Sequence, residues 1–440
     1  MVLLGSLFIT IGKYIGITDP VLAVNLIGVI FGSTAVWALY LLTFKISNNI
    51  FTAISASLLL LLNPIFLDSS TYGINHAPAL CFLLLGLWQL LCFQGSNDKR
   101  HLVFSALFLG FMGATRLQDF IFTFPSVASL FILGIGPQAS PKTKTPVFFL
   151  FSAMIISTII IFHLPYFLSH DTPYLLQAKS FWKIGLSNNF QGLFSRSLIM
   201  TFGYLLKAFS LLGLLCSCVG LGNTARTDKR LFIFLILWIT PPLGFYGNTA
   251  TSVPRFLNII LPAFIIPLSI LLTSNLKHKW MVWRLLAMLS FLIILFVPLQ
   301  NTYQTFLRRH HDALIPDYYR WVGLSTKADA QILSADDALF ITYYSGRKAY
   351  LKPLAMANGH LPVQDLNDFK IKLDDTLKKH QPVYATNSAI VLYDPHREFE
   401  NFLRQNYHLV TIGQKPLELW YLSPFNPQFH ISNLLKIERK

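Results

Sequence analysis

The amino-acid sequence predicts a mainly α-helical, polytopic membrane bundle of about ten spans, followed by a small α/β domain outside the membrane. Three observations predict this fold class. The chain of 440 residues is 53% hydrophobic and only 12% charged. Apolar runs that approach the roughly 17–25 residues of a membrane span recur up to about residue 299. The acidic residues are uneven, since six Asp and no Glu precede residue 300 and the other 14 of the 20 acids follow it.

The predicted spans are apolar runs separated by short polar links. They cover residues 21–44, 52–67, 77–95, 102–115, 120–136, 147–166, 197–220, 231–247, 255–273 and 281–299. The run 2–16 before them contains Lys13 and is short for a span. We therefore expect an amphipathic helix over 2–16 that lies on the outer membrane surface.

The links between the spans carry positive charge at every second position. The basic links are 44–49, 96–100, 141–145, 225–230 and 276–279. The positive-inside rule places basic links in the cytoplasm, so the other links and everything after residue 300 face outward. This orientation puts residue 20 outside, and we expect either that the amino terminus is translocated unaided or that a preceding helix is missing from the chain.

Several function classes lack support in the sequence. The net charge of +15 comes largely from loop residues of the membrane part, as in a polytopic protein and not as in a nucleic-acid binder. The four Cys (Cys81, Cys92, Cys216 and Cys218) all lie in apolar segments and give no metal-ligand set or disulfide framework. The chain has no Walker A, GxGxxG, HExxH or GxSxG motif. We expect no cofactor.

Residues 300–440 alternate between β-type runs and helical runs, which predicts an α/β domain separate from the membrane domain 1–299. The predicted strands are "AQILSA", "KAYLKPL", "PVYATN", "HLVTIGQ" and "LELWYLS". The predicted helices are "DDALFITYY", "LNDFKIKLDDTLKKH" and "REFENFLRQNY". The segment "YYSGRKAYL" contains Tyr344 and Arg347, and we interpret it as a helix end, a Gly C-cap and a following strand.

The outward link "FLDSSTYGINHAPAL" has an unusual density of polar side chains. Asp68 follows the end of one apolar run, and His76 opens the next run just before a Pro. A Pro near a helix start is ordinary, and Asn75 or His76 could simply cap that helix. A carboxylate and an imidazole could equally serve acid–base chemistry. The residues alone leave a plain loop and a site open.

Two arginines also lie at outward ends of predicted spans. Arg116 in "GATRLQDF" interrupts an apolar stretch, and Arg255 in "SVPRFLNIILPA" follows an outward link. Arg at a membrane boundary is often an interfacial anchor. The alternative is a guanidinium that binds a phosphate in bidentate fashion, as a lipid-linked substrate would require.

The order of these parts resembles the polytopic GT-C glycosyltransferases, and within them the family 39 type of the protein O-mannosyltransferases and the lipid A aminoarabinose transferase. The resemblance runs through "LLGSLFITIGKYIG", "VLAVNLIGVIFGSTAVWALYLL", "SASLLLLLNPIFLDSSTYGINHAPALCFLLLGLW", "ALFLGFMGATRLQDFIFTFP", "SVPRFLNIILPAFII" and the outer "ADAQILS…LFITYYSGR". It covers nearly the whole chain, although each motif is loose. The first transmembrane helix of the family and the acidic motif of its first outer loop would precede Leu3, and this sequence lacks them.

The resemblance implies a transferase that moves a sugar from a polyprenyl-phosphate donor to a glycan, lipid A or protein acceptor, on the outer face of the bacterial inner membrane. The carboxyl-terminal domain would be periplasmic. Carried over by position, Asp68 and His76 are the implied catalytic residues, and Arg116 and Arg255 are the implied ligands of the lipid phosphate. Inverting transfer by direct displacement is expected for the family, with no metal among the predicted site residues.

Two other classes of function stay open at this point. One is a non-catalytic or degenerate subunit that keeps the fold and binds a lipid or a sugar, which the missing first-loop motif would favour. The other is a lipid transporter. The sequence offers no paired Gly- or Pro-broken helices in two matching halves, as many transporters have, and the long outer tail is unusual for that purpose.

Overall fold

A computed structural model describes residues 2–17, 20–71, 75–134, 145–168, 196–248, 254–276, 280–312, 314–334, 341–353, 361–386, 389–390, 394, 396–418 and 429–440. The chain divides into two compact units, Met1–Thr305 and Phe306–Lys440. The division lies a few residues after the boundary predicted between 299 and 300. Each unit is described below by itself.

The first unit is built from helices. They are α1 (Val2–Tyr14), α2 (Pro20–Ser47), α3 (Ile50–Leu61), α4 (Pro64–Ser70), α5 (His76–Ser96), α6 (Lys99–Thr115), α7 (Leu117–Leu133), α8 (Thr145–Leu168), α9 (Arg196–Thr227), α10 (Lys229–Tyr246), a 3-10 helix (Pro254–Ile260), α11 (Leu261–Leu276) and α12 (Met281–Asp312), which contains the boundary with the second unit.

Over its described residues, every predicted span coincides with one of these helices, with the bent pair α3 and α4, or with the 3-10 helix and α11. Seven described helices are long and apolar enough to cross a membrane, and α3 with α4 makes an eighth if that pair, bent by 67°, is one span. The predicted number is larger because α6 and α7 were counted as spans. Each of these two helices has 17 residues, at the lower end of the length that crosses a bilayer.

Burial separates the centre of the first unit from its periphery. In α5, 78% of the most apolar window is buried, and the value is 83% for the segment that joins the 3-10 helix to α11. The corresponding shares are 17% in α8 and 22% in α12. Apolar side chains that stay exposed in a membrane protein face lipid, so α5 and the 3-10 helix with α11 form the centre of the bundle.

Two breaks in the apolar helices are closed by side-chain amides. Asn63 caps the start of α4, where Pro64 occupies the first turn, and its amide also donates to the carbonyl of Ala208 at 3.2 Å. Ser210, two residues further along α9, has φ 62° and interrupts that helix. Asn301 donates to the carbonyl of Lys207 at 2.8 Å. Backbone groups without partners are costly in hydrocarbon, so these amides stabilise the breaks.

The second unit is a mixed α/β domain, as predicted from the alternating runs. Its elements are α13 (Leu314–Leu324), β1 (Gln331–Ser334), a π-helical turn (Ile341–Ser345), β2 (Lys348–Leu351), α14 (Val363–Lys378), β3 (Val383–Thr386), α15 (Glu398–Asn406), β4 (Tyr407–Glu418) and β5 (Phe429–Arg439). The strand order is β2-β1-β3-β5-β4. The β1 strand pairs in parallel with β2 and β3, whereas β5 pairs antiparallel with β3 and β4.

The carboxyl-terminal strand pair differs from the prediction. One long strand, β4, runs from Tyr407 to Glu418 and takes in the start of "LELWYLS", and the rest of that segment lies outside the described residues. The strand β5 at "FHISNLLKIER" was not predicted. Its core-facing residues, among them Leu435 and Ile437, are buried, but the polar residues around them weaken the sequence signal.

The segment "YYSGRKAYL" has the structural role that the sequence favoured. The π-helical turn ends at Ser345, Gly346 follows with φ +64°, and β2 begins at Lys348. The Arg347 guanidinium donates to the carbonyl of Thr326 at 2.9 Å and to its hydroxyl at 3.2 Å. Arg347 thus binds the backbone at the end of α13.

Candidate active site

Four parts of the first unit pack together around the predicted site residues. They are the start of α5, the junction of α6 and α7, the end of α10 and the 3-10 helix. The helices α6 and α7 meet at Arg116, whose extended backbone (φ −147°, ψ 87°) ends one helix and begins the next. This position fixes Arg116 between two packed helices, beside the first residues of α5.

The Arg116 side chain is nearly fully engaged. Its Nε donates to Asp119 Oδ2 at 2.6 Å, and its Nη2 donates to Asp119 Oδ1 at 3.3 Å. Its Nη1 lies 3.0 Å from Asn75 Oδ1 and 3.0 Å from His76 Nε2. The exposed fractions of the ion-paired side chains are 9% for Arg116 and 3% for Asp119. Arg116 and Asp119 are therefore a buried, bidentate ion pair.

Asp119 and Tyr246 are members of this cluster that were not among the predicted site residues. The Tyr246 hydroxyl donates to Asp119 Oδ1, so a residue at the end of α10 reaches the first turn of α7. Negative charge in the first turn of a helix is favourable. The spacing of three between Arg116 and Asp119 was a readable signal for the ion pair, because residues at i and i+3 are helix neighbours. Nothing in the sequence pointed to Tyr246.

His76 lies at the start of α5 and is 5% exposed. Its ring packs against that of Phe256 with the centroids 5.7 Å apart. Arginine has no acceptor atom, so Nε2 of His76 must accept the hydrogen bond from Arg116. The neutral imidazole then carries its proton on Nδ1. In this arrangement Nε2 has no free lone pair with which to act as a base.

Phe256 is the apolar platform of the cluster. The Arg116 guanidinium carbon lies 5.6 Å from the centre of its ring, within the range of a cation–π interaction. Tyr246 stacks on the same ring with the centroids 5.1 Å apart. Phe256 belongs to the 3-10 helix and directly follows Arg255 in the sequence. Its ring therefore connects this helix to His76, Arg116 and Tyr246.

Arg255 differs from Arg116 in its exposure. Its side chain is exposed at the start of the 3-10 helix, and the next residue, Phe256, packs against His76 and Arg116. The structure thus brings together three of the four predicted residues, with Arg116 and His76 in direct contact and Arg255 nearby. The fourth, Asp68, is half-buried on α4, a helix that packs against the 3-10 helix.

The site offers an exposed cationic side chain, Arg255, and a half-buried carboxylate, Asp68, on two elements that pack together. Arg255 can bind an anion, and Asp68 can accept a proton. Within the described residues, no group of three or more His, Cys, Asp or Glu side chains could hold a metal ion. The link 72–74 between Asp68 and Asn75 lies outside the described residues.

Comparison with known proteins supplies the fold type. Residues 3–166 match the family model described as dolichyl-phosphate-mannose-protein mannosyltransferase. The structure of ArnT from Cupriavidus metallidurans in the apo state aligns with 98% of this chain and 87% of its own, at a TM-score of 0.62 and 11% identity. This chain has a GT-C fold. The predicted resemblance to the GT-C type and the predicted fold class are both confirmed.

Two further solved structures share the GT-C fold. ArnT from the same organism bound to undecaprenyl phosphate aligns with 98% of this chain and 87% of its own, at a TM-score of 0.60 and 11% identity. The oligosaccharyltransferase AglB from Archaeoglobus fulgidus, in complex with an inhibitory peptide and a dolichol-phosphate, aligns with 98% of this chain and 65% of its own, at a TM-score of 0.61 and 12% identity. No curated protein sequence matches the chain significantly.

Proposed function

We propose that this protein is a membrane glycosyltransferase that moves a sugar from a polyprenyl-phosphate donor to a glycan, lipid A or protein acceptor. The observation that carries the proposal is the exposed Arg255 beside the buried Arg116 cluster, where several membrane helices end in a GT-C fold. Relatives of this fold support the donor class, because ArnT binds undecaprenyl phosphate and AglB is in complex with a dolichol-phosphate. The reaction takes place on the outer face of the bacterial inner membrane.

The proposed reaction needs two contributions from the protein. The leaving group is a lipid phosphate, which requires neutralisation of negative charge, and an exposed arginine supplies this in bidentate form. The acceptor hydroxyl or amine must lose a proton, which requires a base. We assign the phosphate to Arg255 and the base to Asp68. Direct displacement at the anomeric carbon then inverts its configuration.

His76 and Arg116 have other roles in this proposal. His76 was predicted to be catalytic, but its Nε2 accepts from Arg116, so Asp68 is the better candidate for the base. His76 can instead offer its Nδ1–H as a donor. Arg116 was predicted to bind the phosphate together with Arg255, and its engagement with Asp119 favours Arg255 as the direct ligand.

The test is sugar transfer by the purified protein in lipid vesicles. The donors are undecaprenyl phosphates that carry radiolabelled pentoses or hexoses, and the acceptors are lipid A, a membrane glycan fraction and a membrane protein fraction. We expect transfer of label to one acceptor class. Substitution Arg255→Ala should raise the dissociation constant for undecaprenyl phosphate by about tenfold or more, because a hydrogen bond to a charged group contributes about 1.5–3 kcal/mol.

Arg226→Ala is the matched control, since Arg226 is also an exposed arginine at the end of a membrane helix but lies in a basic link. It should leave lipid binding and transfer unchanged. Equal effects of the two substitutions would contradict the assignment of Arg255. Lipid binding with no transfer to any acceptor would favour a non-catalytic subunit. Movement of labelled lipid across the vesicle membrane without an acceptor would favour a transporter.

A further inference from the structure

The hydrogen-bond capacity of Arg116 is nearly used up within the protein. A guanidinium has five N–H groups. Nε and Nη2 each give one to Asp119, and Nη1 faces both Asn75 and His76. Four of the five donors are therefore engaged, and one face of the group lies over Phe256. Arg116 cannot present a two-pronged donor to a phosphate unless this arrangement breaks.

Asp119 is held in turn by Tyr246. The phenol donates to the same carboxylate oxygen, Oδ1, that receives Nη2 of Arg116. The Tyr246 ring is fixed by stacking on Phe256 and by an edge contact with Phe122, at centroid separations of 5.1 and 5.7 Å. Both carboxylate oxygens thus have partners, as a buried charge requires. The chain of contacts runs from α10 through α7 to the start of α5.

The hydrogen bond from Arg116 to His76 determines which ring nitrogen of His76 carries the proton. Because Arg116 donates to Nε2, the proton of the neutral ring is on Nδ1. A neighbouring positive charge also polarises the Nδ1–H, which strengthens it as a hydrogen-bond donor. Arg116 therefore sets the tautomer of His76.

We propose that Asp119 and Tyr246 are positioning residues that fix Arg116 against Asn75 and His76, and that Arg116 acts on the transfer step through His76 and not as a ligand of the donor phosphate. This inference rests on the proposed glycosyltransferase function and assigns different roles to its two arginines. Arg255 binds the lipid phosphate from the exposed side. Arg116 orients the imidazole from the buried side.

The experiment separates lipid binding from turnover. Undecaprenyl phosphate is the binding probe, and label transfer gives kcat and the donor KM. For Arg255→Ala we expect weaker binding of the probe by about tenfold or more. For Arg116→Lys we expect kcat to fall by about tenfold or more while probe binding stays within about twofold of wild type, since lysine keeps the charge but loses the fork. Tyr246→Phe should lower kcat by about threefold to tenfold, again without a change in probe binding.

Equal losses of probe binding in Arg116→Lys and Arg255→Ala would overturn the inference, because Arg116 would then be a phosphate ligand. An unchanged kcat in both Arg116→Lys and Tyr246→Phe would also overturn it. If the wild-type protein binds the probe and transfers sugar, either of these results contradicts the positioning role alone. If the wild-type protein neither binds the probe nor transfers sugar, the proposed function and the positioning role are both contradicted.

The holding of Arg116 by Asp119 has a test that does not depend on turnover. Asp119→Asn and Arg116→Gln should each lower the thermal unfolding temperature in detergent, and the double variant should be no less stable than the less stable single variant. This follows because each single change leaves one buried group of the pair without its counter-charge. Losses that add in the double variant would show that the two side chains are not coupled and would overturn the inference.

Discussion

At the scale of single residues, the proposed function depends most on Asp68, which is assigned as the general base. It is half-buried on a short helix whose first residue is a proline and whose cap is Asn63. The cap and the proline define where α4 begins and so place Asp68 in its second turn. Its neighbour across the link, His76, has its Nε2 occupied by Arg116. In the proposed function, Asp68 is therefore assigned the proton transfer from the acceptor.

Asp68→Asn should reduce sugar transfer by about 10²–10⁴-fold, because the amide cannot accept a proton and general bases contribute factors of that size. Binding of undecaprenyl phosphate should stay within about twofold of wild type, since Asp68 is not assigned to the phosphate. Asp98→Asn is the matched control. Asp98 caps α6 by accepting from Arg100 N–H, and asparagine caps a helix equally well, so its activity should equal that of wild type. A wild-type rate of sugar transfer for Asp68→Asn would contradict the assignment of Asp68 as the general base.

Helices and their ends determine how the site is assembled. The α3–α4 bend and the α9 break are joined by one amide, because Asn63 caps α4 and also donates to the carbonyl of Ala208. The interruption between α3 and α4 and the interruption in α9 are thus held against each other by this hydrogen bond. The close approach of α9 to α11 has a similar local cause. A Cβ on Gly220 would clash with the carbonyl oxygen of Pro267, so only glycine fits there.

Asn63→Ala should lower the free energy of unfolding by at least about 2 kcal/mol, since it removes both a helix cap and the donor to Ala208. Asn49→Ala provides the matched comparison, because Asn49 caps α3 through one bond to the N–H of Phe51. It should cost about 1 kcal/mol. Both values come from unfolding in mixed micelles followed by circular dichroism. Equal costs would mean that the contact with Ala208 adds nothing.

At the scale of the whole molecule, the two compact units differ in the solvent for which they are built. The first unit exposes many large apolar side chains on helices such as α8 and α12, whereas the second packs a mixed sheet against α14 and α15. Alternation of basic links predicts that the second unit lies outside the cytoplasm. The link 96–100 lies on the opposite side in that prediction.

Cysteine labelling tests this orientation. Cys81, Cys92, Cys216 and Cys218 are first replaced by alanine, and one new cysteine is then introduced at an exposed position, Ser96→Cys or Lys379→Cys. A maleimide that does not cross membranes should label Lys379→Cys in intact spheroplasts. It should label Ser96→Cys only after permeabilisation, because positive links stay in the cytoplasm. The reverse pattern would contradict the predicted topology.

Prediction from the sequence succeeded where one local property determines the structure. Hydrophobic run length and link charge gave the helices of the first unit, and the alternating pattern gave most of the second. It missed β5, whose strand character depends on pairing with β3 and β4. The sequence also indicated four candidate residues at the outward ends of predicted spans, because ionisable side chains near hydrocarbon are costly and are often functional. These residues are Asp68, His76, Arg116 and Arg255.

The sequence by itself determined the membrane bundle, the α/β domain and the four candidate residues, because hydrophobicity and charge are properties of single positions. Only the tertiary structure decided how these residues are used. It joined Arg116 to Asp119 and Tyr246, occupied Nε2 of His76 and left Arg255 exposed. The physical reason is that Tyr246 is 127 positions from Asp119 along the chain. A hydrogen bond over that separation exists only after the helices have packed.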